Sequence, residues 1–318
     1  MKPEIRRMKR LIQRGAVSPF YRRKFKPIKK LRVPDLETFS RKIPPFTLEE
    51  LVEEKTASGD PYSLRWCEKK SPLLAFQLEY DTEPRLYLPL DRLALKGYAE
   101  ALTRCWSLLG LARGDRVAIF DYGTSPVTYL ASGSYTPYLG RGAAEALACT
   151  PICNDGVSNM SQRAVEILKT IRPRIFFLRS DCLQPFIHQA DAAALRCSDY
   201  IGALVVTESE GALSRMEQST FEKKLGVPIY RMLRIDVAMF LAVECPHCRL
   251  LHTWRDLYFV ENRQDADEEI VDGAVRSPLL ITNWFALSCP TLRYLSQIRG
   301  SLKAPGCPHG PHDQRIAI

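Results

Sequence analysis

The feature that most constrains the fold is an alternation of apolar runs and amphipathic segments between residues 116 and 235. The apolar runs include RVAIFDYG, RIFFLRS, YIGALVVTES and VPIYRML, and the intervening segments include MSQRAVEILKTIRP and SRMEQSTFEKKLG. Strands that alternate with helices of this length are typical of parallel β-α-β units. We therefore expect an α/β fold in which layers of parallel sheet are flanked by helices.

Beyond residue 240 the pattern changes to short strands and loops, such as FLAVE, LYFVEN and SPLLITNWFAL. The first thirty residues differ again, since apolar residues recur there at helical spacing among many cations. We expect a basic helical arm over residues 1–30, an α/β core over 31–240 and a β-rich C-terminal subdomain over 241–318.

The net charge of +9 is concentrated at the N-terminus, where residues 1–30 hold twelve Lys and Arg and one acidic residue. Such an arm can contact phosphates, but a solvated amphipathic helix explains the same pattern. Because the rest of the 318-residue chain is close to neutral, the sequence does not favour nucleic-acid binding.

No apolar run approaches the roughly 18 residues that a membrane-spanning helix needs, and the start of the chain lacks the apolar core of a signal peptide. The sequence therefore predicts a cytoplasmic protein without a membrane partner. Ten cysteines in that setting indicate free thiols or metal ligands rather than disulfides.

Potential metal ligands are clustered near the C-terminus, where four of the ten cysteines and four of the five histidines lie beyond residue 240. The stretch ECPHCRLLHTW, residues 244–254, has two cysteines and two histidines, with the C-x2-C spacing of a zinc knuckle. Two interpretations stay open: a metal site, and thiols that carry no metal.

Several segments resemble one enzyme family in the same order along the chain. They are SPFYRRKFK (18–26), IPPFTLEELVEE (43–54), GLARGDRVAIFDYG (110–123), the stretch GRGAAEAL…LKTIRP (140–173), ECPHCRLLHTWRDLYFVE (244–261), LRYLSQI (292–298) and GCPHGPHDQRI (306–316). Together they resemble the phenylacetate–CoA ligase-like branch of the adenylate-forming enzymes. That resemblance implies the N-terminal α/β domain of such an enzyme and a reaction in which ATP activates a carboxylate for transfer to coenzyme A.

The resemblance also implies a structural zinc that holds together two segments of the C-terminal subdomain. Carried over by position, the ligands are Cys245, His252, Cys307 and His309, with Cys248 and His247 as further candidates. Four closed nitrogen and sulfur ligands suit a structural tetrahedral site rather than a catalytic one.

The segment aligned with the family's phosphate-binding loop, residues 78–86, has lost the glycines and serines. It carries Glu79, Asp81 and Glu83 instead. Three carboxylates would repel a triphosphate. This change counts against the ATP and magnesium that the family uses.

Two further elements of the nucleotide site have changed. Tyr230 keeps the tyrosine of the family's YGxTE turn, but Arg231 replaces its glycine and Arg234 replaces its magnesium-binding carboxylate. Ile298 stands where an aspartate would accept hydrogen bonds from the ribose. The resemblance ends before the family's C-terminal domain, so we expect that domain and its catalytic lysine to be absent.

The family's acyl pocket aligns with residues 121–140, which are rich in tyrosine, glycine and hydroxyl groups. These side chains are candidates for lining a ligand groove, although the tyrosines can equally cap the edge of the sheet. The candidates are Tyr122, Gly123, Thr124, Tyr135 and Tyr138, together with Glu208 near the family's GGEP loop and with Tyr230, Arg231 and Arg234 of the altered nucleotide site.

The changes favour a non-adenylating relative of these ligases: an accessory or ligand-binding protein in a pathway that handles an aromatic or acyl carboxylate, with a protein partner from that pathway. One alternative is an active ligase with a remodelled ATP site, in which Arg231 and Arg234 bind phosphate. A second is an acyl-transfer or condensation enzyme that receives an acyl group already activated. No catalytic residue can be assigned in any of the three.

Overall fold

The computed structural model describes most of the chain. The described residues are 2–25, 32–78, 80, 82–123, 125–156, 160–209, 213–263, 269–271, 274–304, 306–310 and 313–318.

Four helices precede the sheet: α1 (Pro3–Gly15), α2 (Pro19–Lys24), α3 (Leu36–Lys42) and α4 (Leu48–Ser58). In α1, Met8 and Leu11 are fully buried, so one face of this basic helix packs on the main core while its cations point outward. The start of α4 has a capping box. The Thr47 hydroxyl accepts a hydrogen bond from the Glu50 backbone N–H, and the Glu50 carboxylate accepts one from the Thr47 backbone N–H.

The predicted parallel β-α-β alternation is confirmed. Five parallel strands stand in the order β4-β3-β5-β6-β7. They are β3 (Arg116–Asp121), β4 (Thr150–Asp155), β5 (Ile175–Arg179), β6 (Ala203–Ser209) and β7 (Ile229–Ile235).

Helices cover both faces of these strands. On one face the helices are α5 (Arg92–Leu108), α6 (Pro126–Ala131) and α7 (Ala143–Leu147). On the other face they are α8 (Ser161–Ile171), α9 (Leu183–Ala192) and α10 (Arg215–Leu225). Alternate strand residues enter the two cores, as Phe177 and Val205 do on the first face and Phe176 and Val206 on the second.

Antiparallel strands continue the same sheet in the order β10-β12-β13-β14-β9-β8-β7, with β11 paired to β12. They are β8 (Phe240–Glu244), β9 (Leu251–Thr253), β10 (Tyr258–Asn262), β11 (Glu269–Val271), β12 (Ala274–Asn283), β13 (Thr291–Lys303) and β14 (Gln314–Ala317). Because β8 begins at Phe240 and pairs with β7, hydrogen bonding runs through the boundary predicted at residue 240. The division into three regions therefore stays a prediction.

A separate hairpin of β1 (Leu74–Gln77) and β2 (Tyr87–Leu90) flanks the segment aligned with the family's phosphate loop. Glu79 and Asp81 of that segment lie outside the described residues. Single 3-10 turns occur at Ser180–Cys182, Cys197–Asp199 and Asp236–Ala238. Within the described ranges, no helix has the length and apolar character that crossing a bilayer requires.

Candidate metal centre and the carboxyl edge of the sheet

Three thiols and one imidazole converge where the antiparallel strands meet. Ligand atoms of Cys245, Cys248, His252 and Cys307 all lie within 4.8 Å of one another. The Cys245 and Cys307 sulfurs are 3.8 Å apart, close to the ~3.8 Å edge of a tetrahedron built on Zn–S bonds of about 2.3 Å. The cluster therefore has the donor set and spacing of a closed Cys3His metal site.

A tight turn after β8 forms one side of the cluster. The Cys245 backbone N–H donates to Leu250 O and the Arg249 N–H donates to Cys245 O, both at 2.9 Å. This turn leads into β9 and brings the Cys248 sulfur to 3.2 Å from His252 Nε2. Cys307 comes from the connection between β13 and β14, so the site joins segments 62 residues apart.

Asp313 orients the histidine of the cluster. Its Oδ2 lies 3.1 Å from His252 Nδ1, which leaves Nε2 directed towards the thiols. A carboxylate on the second ring nitrogen fixes the tautomer and strengthens the imidazole as a ligand. Gly310 permits this contact, because a Cβ at that position would overlap the Asp313 carboxylate.

The environments of the thiols differ. Burial raises the pKa of Cys245 to about 11, although N–H groups of the turn partly oppose that effect. For Cys307, desolvation also acts to raise the pKa, but hydrogen bonds from the His309 backbone N–H and the neighbouring thiols outweigh it, so its pKa lies below the ordinary value. Thiolates are the form that binds metals, so Cys307 is prepared to act as a ligand.

The structure places His309 outside the group of four ligand atoms, where Cys248 stands instead. The His309 ring lies against that of His247, with centroids 4.8 Å apart. The family resemblance instead implies His309 as the fourth ligand and leaves Cys248 as an additional candidate. The short turn from Cys245 explains the difference, because it brings Cys248 within reach of the other ligands.

The carboxyl ends of parallel strands are where α/β proteins usually bind ligands. Here that edge holds charged side chains that bind one another. After β3, the Tyr122 ring lies under the Arg179 guanidinium, whose central carbon is 3.7 Å from the ring centroid. Arg179 also forms a bidentate ion pair with Asp181 at 2.9 and 2.8 Å.

Arg234 is a buried cation of this edge, and only 3% of its surface is exposed. Its guanidinium lies 3.3 Å from Asp121 at the end of β3 and 3.1 Å from Asp236 in the turn after β7. The Tyr98 hydroxyl donates to Asp236 at 3.0 Å. In the family that the sequence resembles, this position holds a magnesium-binding carboxylate. Here it holds a buried cation between two carboxylates of the protein itself.

Arg231 is equally buried, with 3% exposure, and lies close to Glu208 and Glu244. Its Nη1 donates to Leu213 O at 2.8 Å, while its backbone N–H donates to the Glu244 carboxylate at 3.0 Å. Burial lowers the pKa of Arg231, and the two carboxylates oppose that effect.

Glu208 is a buried carboxylate of the same edge. It is 1% exposed, and among the described residues neither carboxylate oxygen has a hydrogen bond of good geometry. Burial raises the pKa of Glu208 to about 7, although the Arg231 charge and the Leu213 N–H act to lower it.

Tyr230 is half-buried and has the Arg249 guanidinium over its ring, 5.1 Å from the centroid. Arg249 is held there by ion pairs with Glu222 at 2.8 Å and Glu244 at 3.0 Å. One face of the aromatic ring aligned with the family's adenine site is therefore covered by a cation.

The remaining pocket candidates have other environments. Tyr135 donates a hydrogen bond to Pro151 O at 3.1 Å, and Tyr138 is 42% exposed. Gly123 follows Tyr122 in the turn after β3, and Thr124 lies outside the described residues.

Sequence reasoning missed four acidic residues that organise these sites: Asp121, Asp236, Glu244 and Asp313. Asp121 and Glu244 each end a run of apolar residues. A carboxylate at the end of a buried strand needs a partner, so this pattern could have predicted that both residues form internal pairs. Asp313 gave no such signal, because its role depends on a histidine 61 residues away.

No protein-family profile and no curated protein sequence significantly matches the chain. Solved structures do match. A 2-hydroxyisobutyryl-CoA ligase in an open conformation with 2-HIB-AMP and CoA superposes with a TM-score of 0.78 at 18% identity, over 98% of this chain and 71% of that one. The same ligase in its thioesterification state gives a TM-score of 0.79 at 20% identity, over 98% and 66%.

A double mutant of o-succinylbenzoate CoA synthetase from Bacillus subtilis matches more distantly, with a TM-score of 0.50 at 10% identity over 79% of this chain and 50% of that one. The chain spans about two thirds of the length of the 2-hydroxyisobutyryl-CoA ligase. At these identities the likeness concerns the fold. The chain has the fold of the adenylate-forming CoA ligases.

Proposed function

We propose that the chain is a non-adenylating relative of the phenylacetate–CoA ligase-like enzymes. In this proposal it serves as an accessory or ligand-binding protein, together with a protein partner, in a pathway that handles an aromatic or acyl carboxylate. The observation that carries the proposal is the burial of Arg234 between Asp121 and Asp236.

The charge at this position opposes magnesium binding. Magnesium in such sites is held by carboxylates, and a guanidinium repels it. Because both neighbouring carboxylates already contact Arg234, neither is free to replace the missing ligand without leaving a buried cation unpaired.

The burial of both arginines also argues against a remodelled ATP site. In that alternative Arg231 and Arg234 would bind phosphate, but each is 3% exposed and already contacts protein oxygens. The position of the ribose-binding aspartate carries Ile298, which is 5% exposed and offers no acceptor.

A structural zinc at Cys245, Cys248, His252 and Cys307 is the second part of the proposal. Four ligands without an open position favour a structural role, since catalytic zinc sites keep one position for water or substrate. The metal would hold the connection between β13 and β14 against the turn that follows β8.

Titration calorimetry with Mg-ATP and a pyrophosphate-release assay with a panel of aromatic and acyl carboxylates test the loss of adenylation. We expect neither ATP binding at millimolar concentration nor pyrophosphate release. Carboxylate-dependent pyrophosphate release would contradict the proposal. A parallel arm supplies acyl-CoA, because turnover of acyl-CoA without activation of the free acid would identify an acyl-transfer enzyme instead.

A further inference from the structure

A groove of about 910 Å³ lies between α3 and the outer strands β10 and β12. Its size falls in the range of about 300–1,000 Å³ that is typical of small-molecule sites. Among the described residues, its lining includes none of the metal-cluster ligands and none of the charged residues at the carboxyl edge. The groove is therefore a separate candidate site.

One wall of the groove is aromatic. The rings of Phe259 and Trp284 are stacked at 5.9 Å with an interplanar angle of 18°. Phe39 packs behind both rings, and the Trp284 indole N–H donates to Arg255 O at 3.1 Å. Trp284 is buried and Phe259 stays partly exposed, so Phe259 offers an apolar surface against which a flat ring can lie.

The charges of the lining do not cancel. Arg293 and Glu261 pair with each other at 3.1 Å, and Arg293 also donates to Ile43 O. The remaining charged side chains of the lining are Arg41, Arg255, Arg263, Glu4 and Glu37.

Within the described part of the chain, none of these three guanidinium groups forms an ion pair or hydrogen bond with a carboxylate. Apart from the internal pair, the described residues of the lining carry three cations and two carboxylates, an excess of one positive charge. Arginines without partners readily bind carboxylate or sulfonate oxygens.

We propose that this groove binds a small aromatic monoanion, with its ring against Phe259 and its anionic group at Arg41, Arg255 and Arg263. The site does not depend on the proposed loss of adenylation, because it lies in a different part of the molecule. It is a binding site, with no chemical step attached.

Calorimetry with 2-naphthoate and 2-naphthalenesulfonate tests the proposal, with the neutral 2-naphthamide as the matched probe. We expect both anions to bind and the amide to bind at least roughly tenfold more weakly, as the loss of a charge-assisted contact implies. The variant in which Arg41, Arg255 and Arg263 are all changed to Gln should weaken anion binding by a similar factor. Phe259→Leu, which removes the flat ring and keeps an apolar side chain, should also weaken it.

Two control variants locate the binding. Arg196→Gln removes an exposed arginine outside the groove and should leave binding unchanged, whereas Arg179→Gln alters the carboxyl edge. Absence of anion binding, equal affinity for the amide, or anion binding that the groove variants leave unchanged would each overturn the proposal. Loss of binding in Arg179→Gln alone would also overturn it, since the anion would then occupy the carboxyl edge.

Discussion

His252 Nδ1 lies 3.1 Å from the Asp313 carboxylate, and this contact determines which nitrogen of the ring faces the three thiols. Both groups are buried or nearly so, which shields the contact from water. The metal affinity of the cluster therefore depends on a residue that is not itself a ligand.

Asp313→Asn should lower the zinc affinity by about 10- to 100-fold, the usual effect of losing such a carboxylate, while leaving one metal per chain at saturation. Competition with a chelator measures the affinity. Asp199→Asn, an exposed change outside the site, provides the control. Equal affinity in the wild type and Asp313→Asn would show that the contact does not support a metal.

Cys248→Ala and His309→Ala distinguish the two possible fourth ligands. We expect Cys248→Ala to bind substoichiometric zinc after dialysis and His309→Ala to keep one zinc per chain, because only Cys248 belongs to the group of four. Elemental analysis gives the stoichiometry, and the melting temperature should fall only where the metal is lost. The reverse pattern would restore His309 as the ligand.

Gly310→Ala tests whether the backbone at residue 310 must lie against the Asp313 carboxylate and the His252 ring. A Cβ at residue 310 would overlap the Asp313 carboxylate and come within 2.9 Å of His252 Nδ1, so the carboxylate must move and zinc affinity should fall. In an Asp313→Ala background the same change should cost much less, because the overlapping group is gone. Strict additivity of the two changes in a double-mutant cycle would contradict this explanation.

Local patterns were enough to predict the parallel half of the sheet. The strand from Ile175 to Arg179 and the helix from Ser161 to Ile171 each show their own periodicity, and no distant contact is needed to recognise them. The clustering of cysteines and histidines was also visible. The choice between Cys248 and His309 was not, because it depends on how two separate turns meet.

The internal pairing of Arg234 was equally beyond sequence reasoning. Its partner Asp121 is 113 residues away, on a strand that pairs with β5 rather than with β7. From the sequence, an arginine at this position is equally compatible with phosphate binding and with an internal ion pair. Only the packed sheet, which brings the strand ends together, favours the second.

Arg234→Met should destabilise the protein by about 3–5 kcal/mol, since it leaves Asp121 and Asp236 buried without their cation. Urea unfolding measures the change. Adding Asp121→Asn should recover part of the loss, because one uncompensated charge is then removed. Arg196→Met, an exposed change, should stay within about 0.5 kcal/mol of the wild type. An effect of Arg234→Met no larger than that control would mean that the buried cluster is not as described.

Glu208 makes stability depend on pH near neutrality. Its pKa is raised from 4.5 to about 7, so the folded state favours the protonated form and the unfolded chain the ionised one. The stability that this preference provides is fully present below pH 4.5 and is lost as the pH rises through 7. The shift corresponds to about 3 kcal/mol between these limits.

In Glu208→Gln this pH dependence disappears, because the amide does not titrate. The free energy of unfolding of the variant relative to the wild type should therefore increase with pH from 5.5 to about 7 and level off between pH 7 and 8. Urea unfolding across this range measures the difference, with the exposed Glu53→Gln as the matched control. A difference that stays constant across the range would show that Glu208 titrates at its ordinary pKa.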